Sequence, residues 1–352
     1  MDLFDQMATY GHEQLVFCSD KTVNLKAIIA IHDTTLGPAL GGTRMFPYES
    51  EEAAITDVLR LSQGMTYKNS AAGVNFGGGK AVIIGDPTKD KSPELLRSYG
   101  KFVDLLNGRY ITAGDLGTTV DDLEQIRLET NWVCGLPISA GGGGDTASLT
   151  AFGVLCGMKA CAREVFGSDS MTGKVVAIQG MGKCGHHLAK LLHEERARLI
   201  VSDVDVELAK RGAIETSATI VEPNEIYGVA CDIFSPCAVG AVLNEKTIPL
   251  LKCKIIAGTA NNQLAVEDRD SLELERRRVM YAPDYIVNAG GAINVSFEFD
   301  HYNAEAAKAK VAEIYNTMGR VISIAKTKGI PPIKAADVLA EERIKKTRKF
   351  KN

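Results

Sequence analysis

Two lysines and an aspartate in the first third of the chain stand among glycines. Lys68 lies in Gly64-Met65-Thr66-Tyr67-Lys68-Asn69-Ser70, and Lys80 follows Gly77-Gly78-Gly79. Asp115 lies in Ile111-Thr112-Ala113-Gly114-Asp115-Leu116-Gly117-Thr118-Thr119. All three read as residues of glycine-rich loops rather than of amphipathic faces. Lys80 also opens the apolar run Ala81-Val82-Ile83-Ile84, so it is poorly placed for free solvation. Burial and a second nearby lysine lower a lysine pKa towards that of a usable base. A snorkelling surface cation is the plainer reading of any single lysine. Two lysines and an aspartate beside glycine-rich turns point instead to a site that handles charge and moves protons.

A second constellation lies further on. Lys174-Val175-Val176-Ala177-Ile178-Gln179 reads as a strand and leads into Gly180-Met181-Gly182-Lys183-Cys184-Gly185. Leu188, Leu191 and Leu192 then have helical spacing, and a further strand, Arg198-Leu199-Ile200-Val201-Ser202, ends at Asp203. A G-x-G-x-x-G motif alone is weak. Set between strand and helix, with an acidic residue closing the next strand, it predicts a dinucleotide-binding turn of the Rossmann type. Gly180 and Gly182 would let the backbone approach a pyrophosphate resting on the helix N-terminus, and Gly185 would let that helix pack close to the strand. Asp203 would accept from the adenosine ribose hydroxyls. The residues after it, Val204, Asp205, Val206 and Glu207, supply no cation for a 2'-phosphate, so NAD is expected over NADP.

Elements must hold these groups in place. Lys26–Ile31 and Lys80–Ile84 read as buried strands, and Glu51–Gln63 carries Ala54, Ile55, Val58, Leu59 and Leu61 on a helical face. Ser139-Ala140-Gly141-Gly142-Gly143-Gly144-Asp145 marks a composition shift and is the candidate interdomain hinge. Helical patterns follow at Thr150–Glu164 and at the end of the chain, about Ala335–Lys351. The fold class expected is α/β, with two domains around a cleft. Residues 1–138 form a mixed α/β catalytic domain, completed by a C-terminal helix at about 330–352. Residues 139–329 form a Rossmann-type NAD-binding domain.

The composition narrows the rest. With 352 residues, 45% hydrophobic and 24% charged, the chain reads as an ordinary globular protein. A net charge of -4 gives no field to hold nucleic acid, and the one dense basic run, Lys345-Lys346-Thr347-Arg348-Lys349, reads as a solvated helix end. No apolar stretch reaches a membrane span's length, and Met1–Asp5 is acidic where a secretory leader would be basic. The eight cysteines form no Cys-x-x-Cys pair and no metal set, and read as small buried hydrophobes. No metal is expected, and the expected location is the cytoplasm.

Thr66-Tyr67-Lys68, Gly77-Gly78-Gly79-Lys80 and the Asp115 loop, taken together, resemble the Glu/Leu/Phe/Val dehydrogenase family. So do Gly41-Gly42-Thr43-Arg44, Ala260-Asn261-Asn262-Gln263-Leu264 and Asn288-Ala289-Gly290-Gly291. The resemblance runs from about His12 to Ile344. It implies that Lys68 binds a substrate carboxylate, helped by the turn at Gly41 and Gly42. It makes Lys80 the general base that activates water, and Asp115 the group that handles the substrate amine. It has Asn262 orient the substrate and sets Thr150, Ala238, Ala260, Asn261 and Asn288 against the cofactor, beside the Gly180–Gly185 loop with Met181, Lys183 and Cys184.

The same resemblance places Leu40, Ala113, Ala292 and Val295 around the substrate side chain. Relatives acting on glutamate carry a lysine at the position of Leu40 and a serine at that of Val295. An apolar pair there leaves a buried carboxylate without a partner, which costs several kcal/mol. The expected activity is NAD-dependent, reversible oxidative deamination of leucine, valine and isoleucine to 2-oxo acids with release of ammonium. Gly114 and Ala292 depart from the leucine pattern and keep phenylalanine as the alternative. Asp145 also departs from it, without an assigned role. A non-catalytic NAD-binding sensor is the reading from another class, though it has no need of Lys68, Lys80 and Asp115. The partners expected are a small L-amino acid and its 2-oxo acid, with a homo-oligomer, often octameric in the family.

Overall fold

The computed structural model describes residues 2–299 and 302–351. The chain folds as two compact units: Met1–Asp145 with Val295–Asn303 and Ala340–Asn352, and Thr146–Asn294 with Ala304–Leu339.

The first unit is built on a five-stranded sheet of β1 (Gln14–Asp20), β2 (Leu25–Asp33), β3 (Ala39–Phe46), β4 (Gly77–Ile84) and β5 (Tyr110–Gly114), in the order β1-β2-β4-β3-β5. β1 and β2, and β2 and β4, pair antiparallel, whereas β3 runs parallel to both β4 and β5. Both faces are covered, so β2 and β4 read as continuous apolar runs rather than alternating ones. Leu25, Ile29, Ile31, Met45, Ile83, Leu96, Tyr99 and Tyr110 fill one side. Ile28, Ala30, Val58 and Val82 pack on the other, under the helix Glu51–Ala71.

That helix corrects an expectation. Its pattern was read as ending at Gln63, with Lys68 in a loop; the helix continues to Ala71 and carries Lys68 near its end. Gly64 sits exposed on the solvent side with no neighbour to meet, so a single glycine weakens the helix without breaking it. Packing holds the last turns: Thr66 lies so close to Gly78 that a Cβ there would come within 2.1 Å of the Thr66 nitrogen. Lys80 lies within β4, opposite Ala30 of β2, in keeping with the strand expected over Lys80–Ile84 and not in a loop. The triple glycine belongs to the strand, because helix and neighbouring strands approach too closely for side chains.

The second unit holds a six-stranded parallel sheet of β6 (Val175–Gln179), β7 (Arg198–Ser202), β8 (Thr219–Ile220), β9 (Ile233–Pro236), β10 (Ile255–Ile256) and β11 (Met280–Tyr281). The order β11-β10-β9-β6-β7-β8 is that of the doubly wound dinucleotide folds, and its direction reverses between β6 and β9. Ligands of such sheets bind beyond the carboxyl ends of the strands at that reversal.

The units divide at different residues from 138/139 and 329/330. Ser139–Asp145, read as a hinge, lies in the first unit, where Ile138–Ala140 makes a 3₁₀ turn and the Glu298 carboxylate accepts from the Gly135 and Gly143 nitrogens, both at 2.8 Å. Val295 packs with Leu40, Ile111 and Cys134, which draws Val295–Asn303 into the first unit. Residues up to Leu339 stay in the second, where Ile333 enters the core with Ile256, Leu274 and Tyr281. Tyr285 donates to Asp337 at 2.8 Å and Lys334 pairs with Glu267 at 2.7 Å.

Candidate active site

β3, β4 and β5 bring the charged residues of the first unit together. Lys80 on β4 places Nζ 3.1 Å from Oδ1 of Asp115, the residue just past β5. Oδ2 of Asp115 accepts from Arg44 Nε on β3 at 2.9 Å. Arg44 reaches further, donating to Asp57 Oδ2 at 2.9 Å, and Tyr48 donates to the same oxygen at 2.5 Å. The result is an alternating chain, Lys80–Asp115–Arg44–Asp57. The family-like stretch Gly41-Gly42-Thr43-Arg44 was the available signal for Arg44, but a role for it needs its distance to Asp115, and Asp57 carried no signal.

Burial and charge set the ionisation of these groups. The Lys80 side chain is only 7% exposed. Burial depresses its pKa below the ordinary lysine value, the Asp115 carboxylate opposes that, and Arg44 adds to the depression. For Asp115 burial is the largest single influence and acts upward. Lys80 and Arg44 outweigh it together and hold the carboxyl below its usual range. The Asp115 loop is pinned by Thr118, whose Oγ1 lies 2.8 Å from the Asp115 nitrogen and 2.8 Å from the Thr43 carbonyl.

Glycines make the close approach possible. A Cβ on Gly41 would sit 1.7 Å from the Gly79 carbonyl oxygen, and one on Gly42 would sit 2.5 Å from that of Gly114. Lys68, half-buried, is flanked by fixed neighbours. Thr66 Oγ1 bonds His32 Nδ1 at 2.8 Å, and Asn69 Nδ2 donates to the Gly77 carbonyl at 2.6 Å. Ser70 donates to the Ala340 carbonyl at 2.7 Å, so the C-terminal helix Pro332–Lys351 secures this turn from the other side.

Beside the charged group lies an apolar one. Leu40, Ile111, Cys134 and Val295 form a buried cluster, with Ala113, Phe76 and Trp132 packed against it. Three of the four expected side-chain residues, Leu40, Ala113 and Val295, therefore meet in the first unit, whereas Ala292 belongs to the second. Ile111, which precedes Ala113, joins them, as do Phe76, Cys134 and Trp132, which were not singled out. Gly114 pairs with Thr43 at the end of β5. Asp145 is exposed.

In the second unit the motif residues form one turn. Gly180 has φ +97, a region side chains rarely adopt, and its nitrogen donates to Ser202 O at 2.7 Å. A Cβ on Gly185 would lie 2.0 Å from the Gly180 carbonyl, which fixes helix Lys183–Glu194 against the strand. Gly182 at its N-cap faces open space. Met181 is buried, Lys183 exposed and Cys184 half-buried. Asp203 accepts from the Met181 nitrogen at 2.6 Å, so the acidic residue also braces the glycine turn. Ala238 lies against Gly180.

Asn288 donates to Thr259 O, Ala260 O and Asn261 Oδ1, at 3.2, 3.4 and 2.8 Å, and joins the Ala260–Asn262 loop to the Asn288–Gly291 turn. Thr150 Oγ1 stands 3.1 Å from where a Gly291 Cβ would be. Asn262 is exposed with φ +50. Of the two histidines that follow the motif, His186 is buried and bonds Glu215 at 3.0 Å, and His187 is exposed.

Comparison with known proteins identifies the family. Residues 12–132 match the family model described as Glu/Leu/Phe/Val dehydrogenase, dimerisation domain, and residues 207–351 match Glutamate/Leucine/Phenylalanine/Valine dehydrogenase. The chain is 57% identical to leucine dehydrogenase of Bacillus cereus over 98% of its own length and 94% of the relative's. It is 49% identical to phenylalanine dehydrogenase of Caldalkalibacillus thermarum, over 97% and 93%. Among solved structures, L-tryptophan dehydrogenase from Nostoc punctiforme superposes with a TM-score of 0.87 at 46% identity, covering 98% of this chain and 99% of that one. The chain belongs to the Glu/Leu/Phe/Val dehydrogenase family of amino acid dehydrogenases.

Proposed function

We propose that the protein catalyses the reversible, NAD-dependent oxidative deamination of branched-chain L-amino acids to 2-oxo acids and ammonium. The observation that carries this reading is the buried Lys80 paired with the part-buried Asp115 and Arg44, together with the apolar cluster of Leu40, Ala113 and Val295. A zwitterion with an apolar side chain needs a cation, an anion and a greasy pocket, and the likeness to leucine dehydrogenase supports the choice of side chain.

The second unit fits a dinucleotide. Gly182 leaves open space at the start of a helix, where backbone donors favour a pyrophosphate. Asn288 Oδ1 is buried without a hydrogen-bond partner among the described residues, an acceptor suited to a carboxamide N–H. Asp203 would take the ribose hydroxyls, and Thr150, Ala238, Ala260, Asn261 and Asn288 would line the rest. The chemistry a nicotinamide dinucleotide supplies is acceptance of the hydride that leaves the substrate Cα.

The chain's own residues do the remainder. Lys68 pairs with the substrate carboxylate beside Gly41 and Gly42, and Asn262 orients the substrate. Asp115 takes a proton from the substrate nitrogen as the imine forms. Neutral Lys80 removes a proton from water as its oxygen attacks the imine carbon. The resulting carbinolamine collapses with loss of ammonia. Burial lowers the Lys80 pKa, which favours the neutral amine that a general base needs. Water is handled inside a site where each charge has a partner, which keeps the electrostatic contacts strong. The first unit is the substrate-binding one in this reading, the assembly is a homo-oligomer, and the location is the cytoplasm.

The test is NADH formation with L-leucine, L-valine, L-isoleucine, L-phenylalanine and L-glutamate, on wild type and Lys80→Ala. Branched-chain substrates should lead, and the variant should lose about 10²–10⁴-fold in kcat. A lead for phenylalanine would move the enzyme to the aromatic branch, an outcome that the small Ala292 allows. Nucleotide binding without turnover of any amino acid would leave a sensor.

A further inference from the structure

Five of the eight cysteines are buried as expected, but Cys184, Cys231 and Cys237 are partly exposed, and all eight are free. Cys231 and Cys253 stand apart from the rest. β9 and β10 run parallel with Ile233 opposite Ile255. Each cysteine precedes its paired isoleucine by two residues, so the two face one another just ahead of the strands. The pairing continues back towards them, since the Asp232 carbonyl accepts from the nitrogens of Lys254 and Ile255, at 3.0 and 3.3 Å. Neighbouring strands lie about 4.8 Å apart, inside the range of about 4.4–6.8 Å between the Cα atoms of a disulfide. The two thiols lie close enough to influence one another's ionisation.

We propose that Cys231 and Cys253 are a reversible oxidative modification site that closes to a disulfide under hydrogen peroxide. The Cys231 sulfur attacks one peroxide oxygen: an S–O bond forms, the O–O bond breaks, and the leaving hydroxide takes up the thiol proton as water. The Cys253 sulfur then attacks the Cys231 sulfenic acid: the S–S bond forms, the S–O bond breaks, and hydroxide leaves as water with the Cys253 proton. The two thiols give up two electrons and two protons, and the peroxide becomes two waters. A dithiol reverses the reaction by exchange.

The order of attack follows from the surroundings. Cys253 is 5% exposed, in a core with Ile256, Leu274 and Val279, whereas Cys231 is partly open to solvent. The neighbouring Cys253 thiol favours the Cys231 thiolate, against burial and the Asp232 charge. Cys231 and burial together raise the Cys253 thiol. Cys231 is thus the attacking sulfur and Cys253 the resolving one. The pair lies at the amino ends of β9 and β10, while the carboxyl end of β9 leads to Ala238 beside Gly180. Oxidation should therefore act on stability and leave turnover largely intact.

The experiment treats reduced full-length protein with a few equivalents of hydrogen peroxide, alkylates the remaining thiols and maps the peptides by mass spectrometry. Cys231 and Cys253 should emerge as one linked pair, with alkylatable thiols falling from eight to six. Dithiothreitol should restore them, and the melting temperature of the oxidised form should be higher by about 5 °C. In Cys253→Ser, dimedone should label Cys231 and no bridge should form. The proposal is overturned if both cysteines stay alkylatable, if another cysteine is oxidised first, or if Cys231 passes to the sulfinic acid without ever linking to Cys253.

Discussion

Lys80, Asp115 and Arg44 illustrate how much a single residue's behaviour depends on its neighbours. Asp115 supports the Lys80 charge and Arg44 opposes it, and both cations hold Asp115 ionised. Removing the Arg44 charge should act on both at once. In Arg44→Gln, Lys80 loses a repelling cation and its pKa rises, and Asp115 loses a stabilising cation and its pKa also rises. A general base must be unprotonated, so the limb of kcat/KM that climbs with pH should move to higher pH in this variant. A limb that stays put, or moves down, would show that Lys80 does not set it. Sequence made Lys80 and Asp115 legible because glycine runs and a charge beside an apolar strand are rare together. Arg44's place between two carboxylates was not legible, because Asp57 lies on another element with nothing in its local sequence to mark it.

At the scale of elements, helix Glu51–Ala71 and strand β4 act as one device. The helix carries Lys68, the strand carries Lys80, and Gly78 sets their spacing against Thr66. Gly78→Ala should cost about 1–3 kcal/mol of stability, through a Cβ driven into the Thr66 backbone. It should also raise the KM for the amino acid as the Lys68 turn shifts. Thermal melts and steady-state kinetics read the two effects. A variant as stable as wild type, with unchanged KM, would mean the helix can back away freely. The strands, the Gly180–Gly185 turn and the C-terminal helix were legible as elements from apolar runs, spacing and glycines. The last turns of helix Glu51–Ala71 were not, since Gly64 and a polar face hide a helix that tertiary packing sustains. Nor was the return of Val295–Asn303 to the first unit, which rests on Val295 joining the Leu40 cluster and on the Glu298 hydrogen bonds.

For the molecule as a whole, acid stability should pass through the buried histidines of the first unit. His12 Nε2 bonds Ser62 Oγ at 2.7 Å and its ring meets His32 edge-on at 4.8 Å. Burial, then the nearby His32, lowers the His12 pKa from 6.5 to about 4. The unfolded chain therefore binds a proton on His12 that the folded chain refuses between those values. Stability from this group is complete above pH 6.5 and is lost as pH falls towards 4, by about 3 kcal/mol. His12→Gln should flatten the pH dependence of the unfolding free energy across that window. An equally steep fall in the variant would assign the loss to other groups.

The discontinuous first unit bears on how the protein is made. Its sheet and charged residues leave the ribosome early, but the helix turn bearing Lys68 is secured by Ser70 bonding the Ala340 carbonyl. Arg343 also donates to the carbonyls of Asn69, Ser70 and Val74. Those residues are translated only after the whole of the second unit. The second unit can thus reach its fold on a nascent chain while the first is still waiting for its last segment, so vectorial synthesis itself orders the two maturation steps.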